Sequence, residues 1–129
     1  LIAVEKKINF SIIKEIDNYC VITNERILEQ ILGALIDNSF KYTPAGGRID
    51  LSLQKTNGQL RIKLSDTGTG ISTEAKPYIF ERYYKADKSR STEGSGLGLA
   101  IAKELADKID TEIKFDSSEE HGSEFYIIF

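Results

Sequence analysis

The sequence lacks methionine and tryptophan, and it holds a single cysteine, Cys20, and a single histidine, His121. One cysteine excludes an internal disulfide and fits a reducing compartment. Cys20 has no cationic neighbour to activate it, so we interpret it as a small, half-buried apolar residue. A lone histidine without a cysteine cluster cannot make a zinc site, and His121 is predicted to be a solvated turn residue. Because methionine is missing even at position 1, we expect a piece of a longer protein.

Long apolar runs and a strong charge of either sign are also missing. No run approaches the roughly 18 residues that a membrane-spanning helix needs, and no signal peptide pattern opens the chain. The net charge of −3 gives no general attraction to nucleic acid. The length of 129 residues, of which 40% are hydrophobic, suits one soluble domain over residues 1–129.

Hydrophobic spacing predicts a mixture of strands and helices. Strands are expected over residues 6–13, 48–55, 59–65, 111–116 and 123–129, and long helices over 25–42 and from about 96 to 109. A short helical stretch is expected from Ser72 or Thr73 to about Glu81, broken by Pro77. The second long helix should bury Leu97, Ala100, Ile101, Leu105 and Ile109 on one face.

Local signals support these boundaries. Thr23 or Asn24 can cap the first long helix, and Asn57-Gly58 is a strong hairpin signal because both residues tolerate positive φ. Since the strands come in hairpins, a doubly wound parallel sheet is disfavoured. The order of elements predicts an α+β two-layer sandwich, with a mixed, mostly antiparallel sheet and the helices on one face.

Three polar clusters follow these elements. Asp66-Thr-Gly-Thr-Gly70 ends a strand and is either an ordinary turn or a loop whose backbone approaches a ligand. Asn38, Lys41 and Tyr42 share a helix face, where Asn suits a hard cation and Lys suits phosphate. Taken alone, that face is better explained by surface residues near a helix end, where a Lys also complements the helix dipole.

Glycines at 94, 96 and 98 open the second long helix, where unpaired backbone N–H groups favour an anion. Their spacing is neither that of a dinucleotide-binding fold nor that of a P-loop. Together with the other two clusters, they describe a site for both ends of a nucleotide.

Five segments of the chain resemble, in order, the N, G1, F, G2 and G3 boxes of sensor histidine kinases. They are Asn38-Ser-Phe-Lys41-Tyr-Thr-Pro44, Asp66-Thr-Gly-Thr-Gly-Ile71, Ile79-Phe-Glu-Arg-Tyr-Tyr-Lys85, Gly94-Ser-Gly-Leu-Gly-Leu99 and Gly122-Ser-Glu-Phe125. The match covers nearly the whole chain and implies the catalytic ATP-binding domain of that family. Its Bergerat ATP-binding fold is shared with gyrase, Hsp90 and MutL, but the F-box segment favours the histidine kinases.

The resemblance implies roles for individual residues. Asn38 would bind Mg²⁺, and Asp66 would accept a hydrogen bond from the adenine amino group. The remaining ATP contacts would come from Lys41, Tyr42, Gly68, Gly70, Ile71, Phe80, Lys85, Gly94, Gly96, Leu97, Gly98, Leu99 and Ser123. Residues 84–95 would form the ATP lid, and Phe80 would anchor its base.

The family reaction transfers the γ-phosphate of ATP to a histidine on a helical hairpin domain, which normally lies upstream and also dimerises. His121 cannot replace that histidine, because it belongs to the G3 turn. We therefore expect a monomeric cytoplasmic domain that binds Mg-ATP, within a membrane-anchored parent that also signals to a response regulator. No nucleic-acid partner is expected.

One position departs from the family pattern. Many members carry a second Asn one turn before the N-box Asn, and related ATPases carry a catalytic Glu there, whereas this chain has Ala34. Weak intrinsic ATP hydrolysis is expected as a result. Ala34 keeps open a regulatory pseudokinase module that binds nucleotide without phosphotransfer, and it counts against a stand-alone ATPase.

Overall fold

The structure, a computed structural model, describes residues 7–14, 20–84 and 97–129. Within them the chain forms five strands, two α-helices and one short 3₁₀ helix. In chain order these are β1 (Asn9–Lys14), α1 (Glu25–Tyr42), β2 (Arg48–Thr56), β3 (Gln59–Asp66), the 3₁₀ helix (Lys76–Tyr78), α2 (Gly98–Lys108), β4 (Glu112–Ser118) and β5 (Gly122–Ile128). The α/β sandwich predicted from the sequence is confirmed.

The strands lie in one sheet in the order β1-β2-β3-β5-β4. β1 and β2 run parallel, and the other three neighbouring pairs are antiparallel. A parallel pair needs a crossover connection, and α1 lies in the one between β1 and β2. The register places Asp66 opposite Ser123, and Ser123 opposite Ser117, across β3, β5 and β4. Three polar residues therefore share one row across the end of the sheet.

The first helix begins as its sequence predicts. The side chain of Asn24 accepts a hydrogen bond from the Ile27 amide at 3.1 Å, which confirms Asn24 as the N-cap. The buried face of α1 includes Ile31 and Leu35, and its polar member is Ser39. These residues recur at four-residue spacing, so one stripe of the helix faces the core.

The turn between β2 and β3 also follows the sequence. Asn57 and Gly58 have φ values of 52° and 79°, the left-handed conformation that the hairpin prediction required. The core that forms on the helix-bearing face of the sheet is lined by Ile8, Ile31, Leu35, Phe40, Ile49, Leu64, Ala75, Ile79, Ala102, Ala106, Phe125 and Ile127.

The predicted buried face of α2 is wrong at Ile101, whose side chain is 41% exposed. Ala100 is buried as predicted, Leu105 and Ile109 pack partly buried against the core, and Leu97 is half-buried. The other buried residues of α2 are Ala102 and Ala106. Ile101 is turned by about 100° around the helix axis from Ala102, which places it on the outer side.

Three smaller expectations have mixed outcomes. The stretch predicted as a helix broken by Pro77 is mainly turns, with a 3₁₀ helix only over Lys76–Tyr78. Cys20 is exposed rather than half-buried, and His121 lies exposed in a turn, as expected. No helix in the part of the chain that the structure describes is long and apolar enough to cross a membrane.

Candidate nucleotide-binding site

Asp66 lies at the last position of β3 and is only 6% exposed. Its Oδ1 accepts two backbone hydrogen bonds, from the amides of Gly68 at 2.9 Å and Ser123 at 3.2 Å. Burial raises the pKa of Asp66, and these two hydrogen bonds oppose that rise because they stabilise the ionised form. The carboxylate of Asp66 is thus buried and held in a fixed orientation.

Two buried hydroxyls lie near the same end of the sheet. The Ser39 hydroxyl lies close enough to Asp66 to lower the pKa of that carboxyl, yet it makes no hydrogen bond of ordinary geometry. Thr43, which follows α1 and is 1% exposed, also has no hydrogen-bonding partner for its hydroxyl among the described residues. A buried polar atom without a partner is costly, so these hydroxyls fit a site that is completed by a polar ligand or by water.

Residues 67–71, here called the Asp66 loop, are held in place through hydrogen bonds from their backbone amides. The amides at 67, 68, 69 and 71 each donate a hydrogen bond, and three of these bonds reach other elements of the domain. The acceptors are Arg48 O at 3.0 Å, Asp66 Oδ1 at 2.9 Å, Tyr42 O at 3.1 Å and Ser117 Oγ at 2.8 Å. The loop is therefore tied to β2, to the end of α1 and to β4.

Steric contacts within the protein explain why positions 68 and 70 are glycine. A Cβ on Gly68 would lie 2.6 Å from Tyr42 O and 2.9 Å from Asp66 Oδ1. Gly70 has φ +72°, and a Cβ there would lie 2.0 Å from Ser118 O. Real Cβ atoms do not approach this closely, so both glycines are required for the loop to pack against α1 and β4. That they also make room for a base stays a prediction.

The predicted N-box residues lie in the last two turns of α1. Asn38, Lys41 and Tyr42 are half-buried, and Lys41 Nζ lies 5.2 Å from the centre of the Tyr42 ring. The Thr69 amide donates to Tyr42 O, which joins this end of α1 to the Asp66 loop. The structure thus brings two of the predicted clusters together.

The residues described contain no group of three or more His, Cys, Asp or Glu side chains that could hold a metal ion. A magnesium ion here would depend on the Asn38 amide oxygen together with phosphate oxygens and water. Mg²⁺ usually keeps several waters and is held by one or two protein carboxylates beside substrate phosphates, and here the Asn38 amide would supply a neutral oxygen instead.

The other predicted site residues divide between described and undescribed segments. Phe80 is half-buried and packs edge-on against Phe115 at 5.8 Å, with Lys103 Nζ 5.4 Å from its ring centre. Leu97, Gly98 and Leu99 lie at the start of α2. Lys85, Gly94, Gly96 and the predicted lid beyond Tyr84 lie outside the described residues.

Sequence reasoning missed Ser39, Thr43 and Ser117 as members of the candidate site. A signal was present for two of them. Ser39 occupies a core position of α1, four residues after Leu35, and Ser117 is 6% exposed at an inward-facing position of β4, two residues after Phe115. A hydroxyl at a core position indicates a hydrogen-bonded network or a ligand.

Comparisons with known proteins agree with this architecture. Residues 23–129 match the family described as histidine kinase-, DNA gyrase B-, and HSP90-like ATPase. The chain belongs to this family, and membership implies that it binds ATP.

Similar curated proteins are sensor kinases. Sensor histidine kinase Hik2 of Thermosynechococcus vestitus is 51% identical over 82 residues, which are 63% of this chain and 21% of that protein. Sensor protein CiaH of Streptococcus pneumoniae is 37% identical over 109 residues, which are 83% of this chain and 24% of that protein. The chain thus spans less than a quarter of the length of these relatives.

Similar solved structures are histidine kinases. The mycobacterial sensor histidine kinase MprB has a TM-score of 0.84 at 26% identity, over 99% of this chain and 87% of that one. Full-length ShkA in complex with AMPPNP has a TM-score of 0.84 at 28% identity, over 98% of this chain and 26% of that one. The fold is therefore that of a histidine kinase catalytic domain.

Proposed function

We propose that this chain is the catalytic domain of a sensor histidine kinase, which binds Mg-ATP and supplies the γ-phosphate to a histidine on a separate phosphoacceptor domain. The observation that carries the proposal is the buried carboxylate of Asp66 within a fold of this family. Both described hydrogen bonds to Asp66 reach Oδ1. Oδ2 is the atom we assign to the adenine amino group.

We expect the fixed carboxylate of Asp66 to select adenine over bases that carry a carbonyl oxygen at the same position. A carboxylate oxygen accepts but does not donate when it is ionised, so it pairs with an amino group and leaves a carbonyl oxygen at the same place unpaired. The buried hydroxyls of Ser39 and Thr43 fit further polar contacts with the base or with water around it. Gly68, Gly70, Ile71 and Ser123 would line this end of the site.

We assign the binding of the ATP phosphates to the end of α1 and the start of α2. Asn38 would contribute its amide oxygen to Mg²⁺, and Lys41 and Tyr42 would contact phosphate or ribose. Lys85, Gly94, Gly96, Leu97, Gly98 and Leu99 complete the proposed set, with Phe80 at the base of the lid. Helix N-termini favour phosphate because their first amides are unpaired. ShkA was solved with AMPPNP, which supports a nucleotide in this fold.

Bound ATP supplies the phosphoryl group, and the chain's own residues act by placing and neutralising it. The γ-phosphoryl group passes to an imidazole nitrogen of the acceptor histidine, and ADP leaves. The chain spans about a quarter of the length of its relatives. We therefore assign the acceptor histidine and dimerisation to another domain of the parent protein. A response regulator would receive the phosphoryl group from that histidine. We place this domain in the cytoplasm, as a monomer, within a membrane-anchored parent.

The proposal is tested by titrating the chain with ATP and with inosine triphosphate, which carries a carbonyl oxygen in place of the amino group. We expect saturable ATP binding and at least about tenfold weaker binding of inosine triphosphate, since a mismatched buried acceptor loses its partner. Equal affinity for the two would contradict the role of Asp66.

The transfer step needs a separate experiment. The chain is mixed with γ-labelled ATP and the purified histidine hairpin domain of a relative such as CiaH, and with the same domain carrying Ala in place of its histidine. Acid-labile label on the first domain only is expected. Rapid phosphate release without any acceptor would indicate a stand-alone ATPase instead, although Ala34 offers no group to activate water.

A further inference from the structure

Ser117 of β4 lies at the junction of the Asp66 loop with the sheet. Its side chain is 6% exposed, and its Oγ is 2.8 Å from the Ile71 amide, 2.8 Å from Ser123 Oγ and 3.0 Å from Gly122 O. A serine hydroxyl has one donor and two acceptor sites. All three are used if Ser117 donates to Gly122 O and accepts from Ile71 and Ser123.

The same hydroxyl is linked to Asp66 by a short path. Ser117 bonds to the side chain of Ser123, and the backbone amide of Ser123 donates to Asp66 Oδ1 at 3.2 Å. On its other side Ser117 holds Ile71, the last residue of the loop that begins after Asp66. Ser117 therefore contacts both β5, whose Ser123 amide orients the carboxylate, and the far end of the loop that follows Asp66.

We propose that Ser117 is a positioning residue for the nucleotide site, which anchors the Asp66 loop and so sets the affinity and selectivity for adenine. The inference rests on the proposed function. Ser117 acts through Ile71 and Ser123, because its Oγ is fully engaged by protein groups. Without that hydroxyl, the Ile71 amide loses its acceptor at this part-buried position, and the loop gains freedom that must be lost again when the adenine amino group pairs with Asp66.

The test compares Ser117→Ala with wild type by two measurements. Calorimetry gives the affinities for ATP and for inosine triphosphate, and amide hydrogen exchange followed by NMR reports the Ile71 N–H without nucleotide. We expect exchange at Ile71 to be at least about tenfold faster. We also expect ATP affinity to fall about five- to tenfold, as for one lost hydrogen bond, while inosine triphosphate affinity changes little.

Two variants serve as controls. Ser52→Ala removes a hydroxyl of similar burial, 7% exposed, from β2 of the same sheet and should leave the ratio of the two affinities unchanged. Ser117→Thr keeps the hydroxyl and should restore the ratio, because threonine suits a strand. A general loss of stability would weaken both nucleotides equally, so the ratio separates positioning from folding.

Unchanged ATP affinity in Ser117→Ala would overturn the inference, even if exchange at Ile71 were faster, because Ser117 would then be a structural residue only. An equal loss for both nucleotides would overturn it as well. If wild type binds neither nucleotide, the proposed function fails and the affinity part of the inference fails with it. Unchanged Ile71 exchange would in that case remove the anchoring role too.

Discussion

The side chain of Asp66 and the backbone of Ser123 are joined across neighbouring strands, with the Ser123 amide donating to Asp66 Oδ1 at 3.2 Å. The two residues are also register partners in β3 and β5. One oxygen of the carboxylate is thereby fixed by the sheet itself and by the Gly68 amide. If Asp66 binds the adenine amino group as proposed, a carboxylate fixed in this way lowers the ordering cost of binding.

Replacing Asp66 with Asn should stabilise the folded domain at neutral pH. Burial raises the pKa of Asp66 above its ordinary value of 3.8, so the folded chain holds this proton more tightly than the unfolded chain does. The contribution of Asp66 to the free energy of unfolding is therefore complete below its pKa in the unfolded chain. That contribution is lost as the pH rises through the pKa of Asp66 in the folded chain. Urea unfolding at pH 7 should show a more stable variant.

The pH dependence of this effect is the sharper check. The stability difference between Asp66→Asn and wild type should shrink below about pH 4, where the wild-type carboxyl is neutral as well. Asp50→Asn is a control of opposite sign, because the Ser11 hydroxyl and then Arg48 lower the pKa of Asp50 despite its partial burial. A constant difference for Asp66→Asn across this range would contradict the raised pKa.

Replacing Asn38 with Ala should remove the contribution of magnesium to nucleotide binding. We expect wild type to bind ATP more tightly with Mg²⁺ than without it, and Asn38→Ala to bind with similar affinity in both conditions. The measurement is calorimetric titration with ATP, with Mg²⁺ present or chelated. The neighbouring exposed Asp37 gives a matched control, since Asp37→Ala should keep the dependence on Mg²⁺.

Replacing Gly122 with Ala should destabilise the domain at the Asp66 end of the sheet. Gly122 has φ +85°, and a Cβ there would lie 2.1 Å from Asp66 O. Gly58→Ala is the control, because its φ is +79° but nothing lies within 4 Å of the added atom. The left-handed backbone alone costs roughly 1–2 kcal/mol. Chemical denaturation should show a clearly larger loss for Gly122→Ala, and equal losses would rule out the steric conflict.

Replacing Asn24 with Ala should cost about 1 kcal/mol of stability, because the N-cap of α1 loses the bond to the Ile27 amide. The measurement is the shift in the midpoint of urea unfolding. Asn57→Gly in the β2–β3 turn is the comparison variant. Asn57 caps no helix, and glycine tolerates the positive φ of 52° at this position, so little stability should be lost. A loss no greater than that of the turn variant would show that the cap contributes nothing.

Much of the fold could be predicted because its signals are local. The Asn24 cap, the stripe through Ile31 and Leu35, and the Asn57-Gly58 turn each depend on a few neighbouring residues. The error at Ile101 arose where local pattern is insufficient, because Ile101 lies between Ala100 and Ala102 and all three are apolar. Which of them faces the core depends on how α2 is rotated against the rest of the domain. The exposure of Cys20 likewise depends on tertiary packing.

Residues of the candidate site such as Asp66 could be named from the sequence, whereas the connections among them could not. The family pattern identified Asp66, and the structure adds that Gly68 and Gly70 pack against the domain's own backbone. Ser117 is 51 residues from Asp66 in sequence, so only the order of β3, β5 and β4 brings it close. Long-range register of this kind has no short sequence signal, which is why the serine network was missed.

The central claim is that Asp66 binds the adenine of ATP. It is tested most directly by calorimetric titration of ATP, with Mg²⁺, into wild type and Asp66→Asn, after unfolding curves have shown that both are folded. We predict saturable binding to wild type and the loss of most of that affinity in a variant that is at least as stable. Equal ATP affinity in the two proteins would contradict the account.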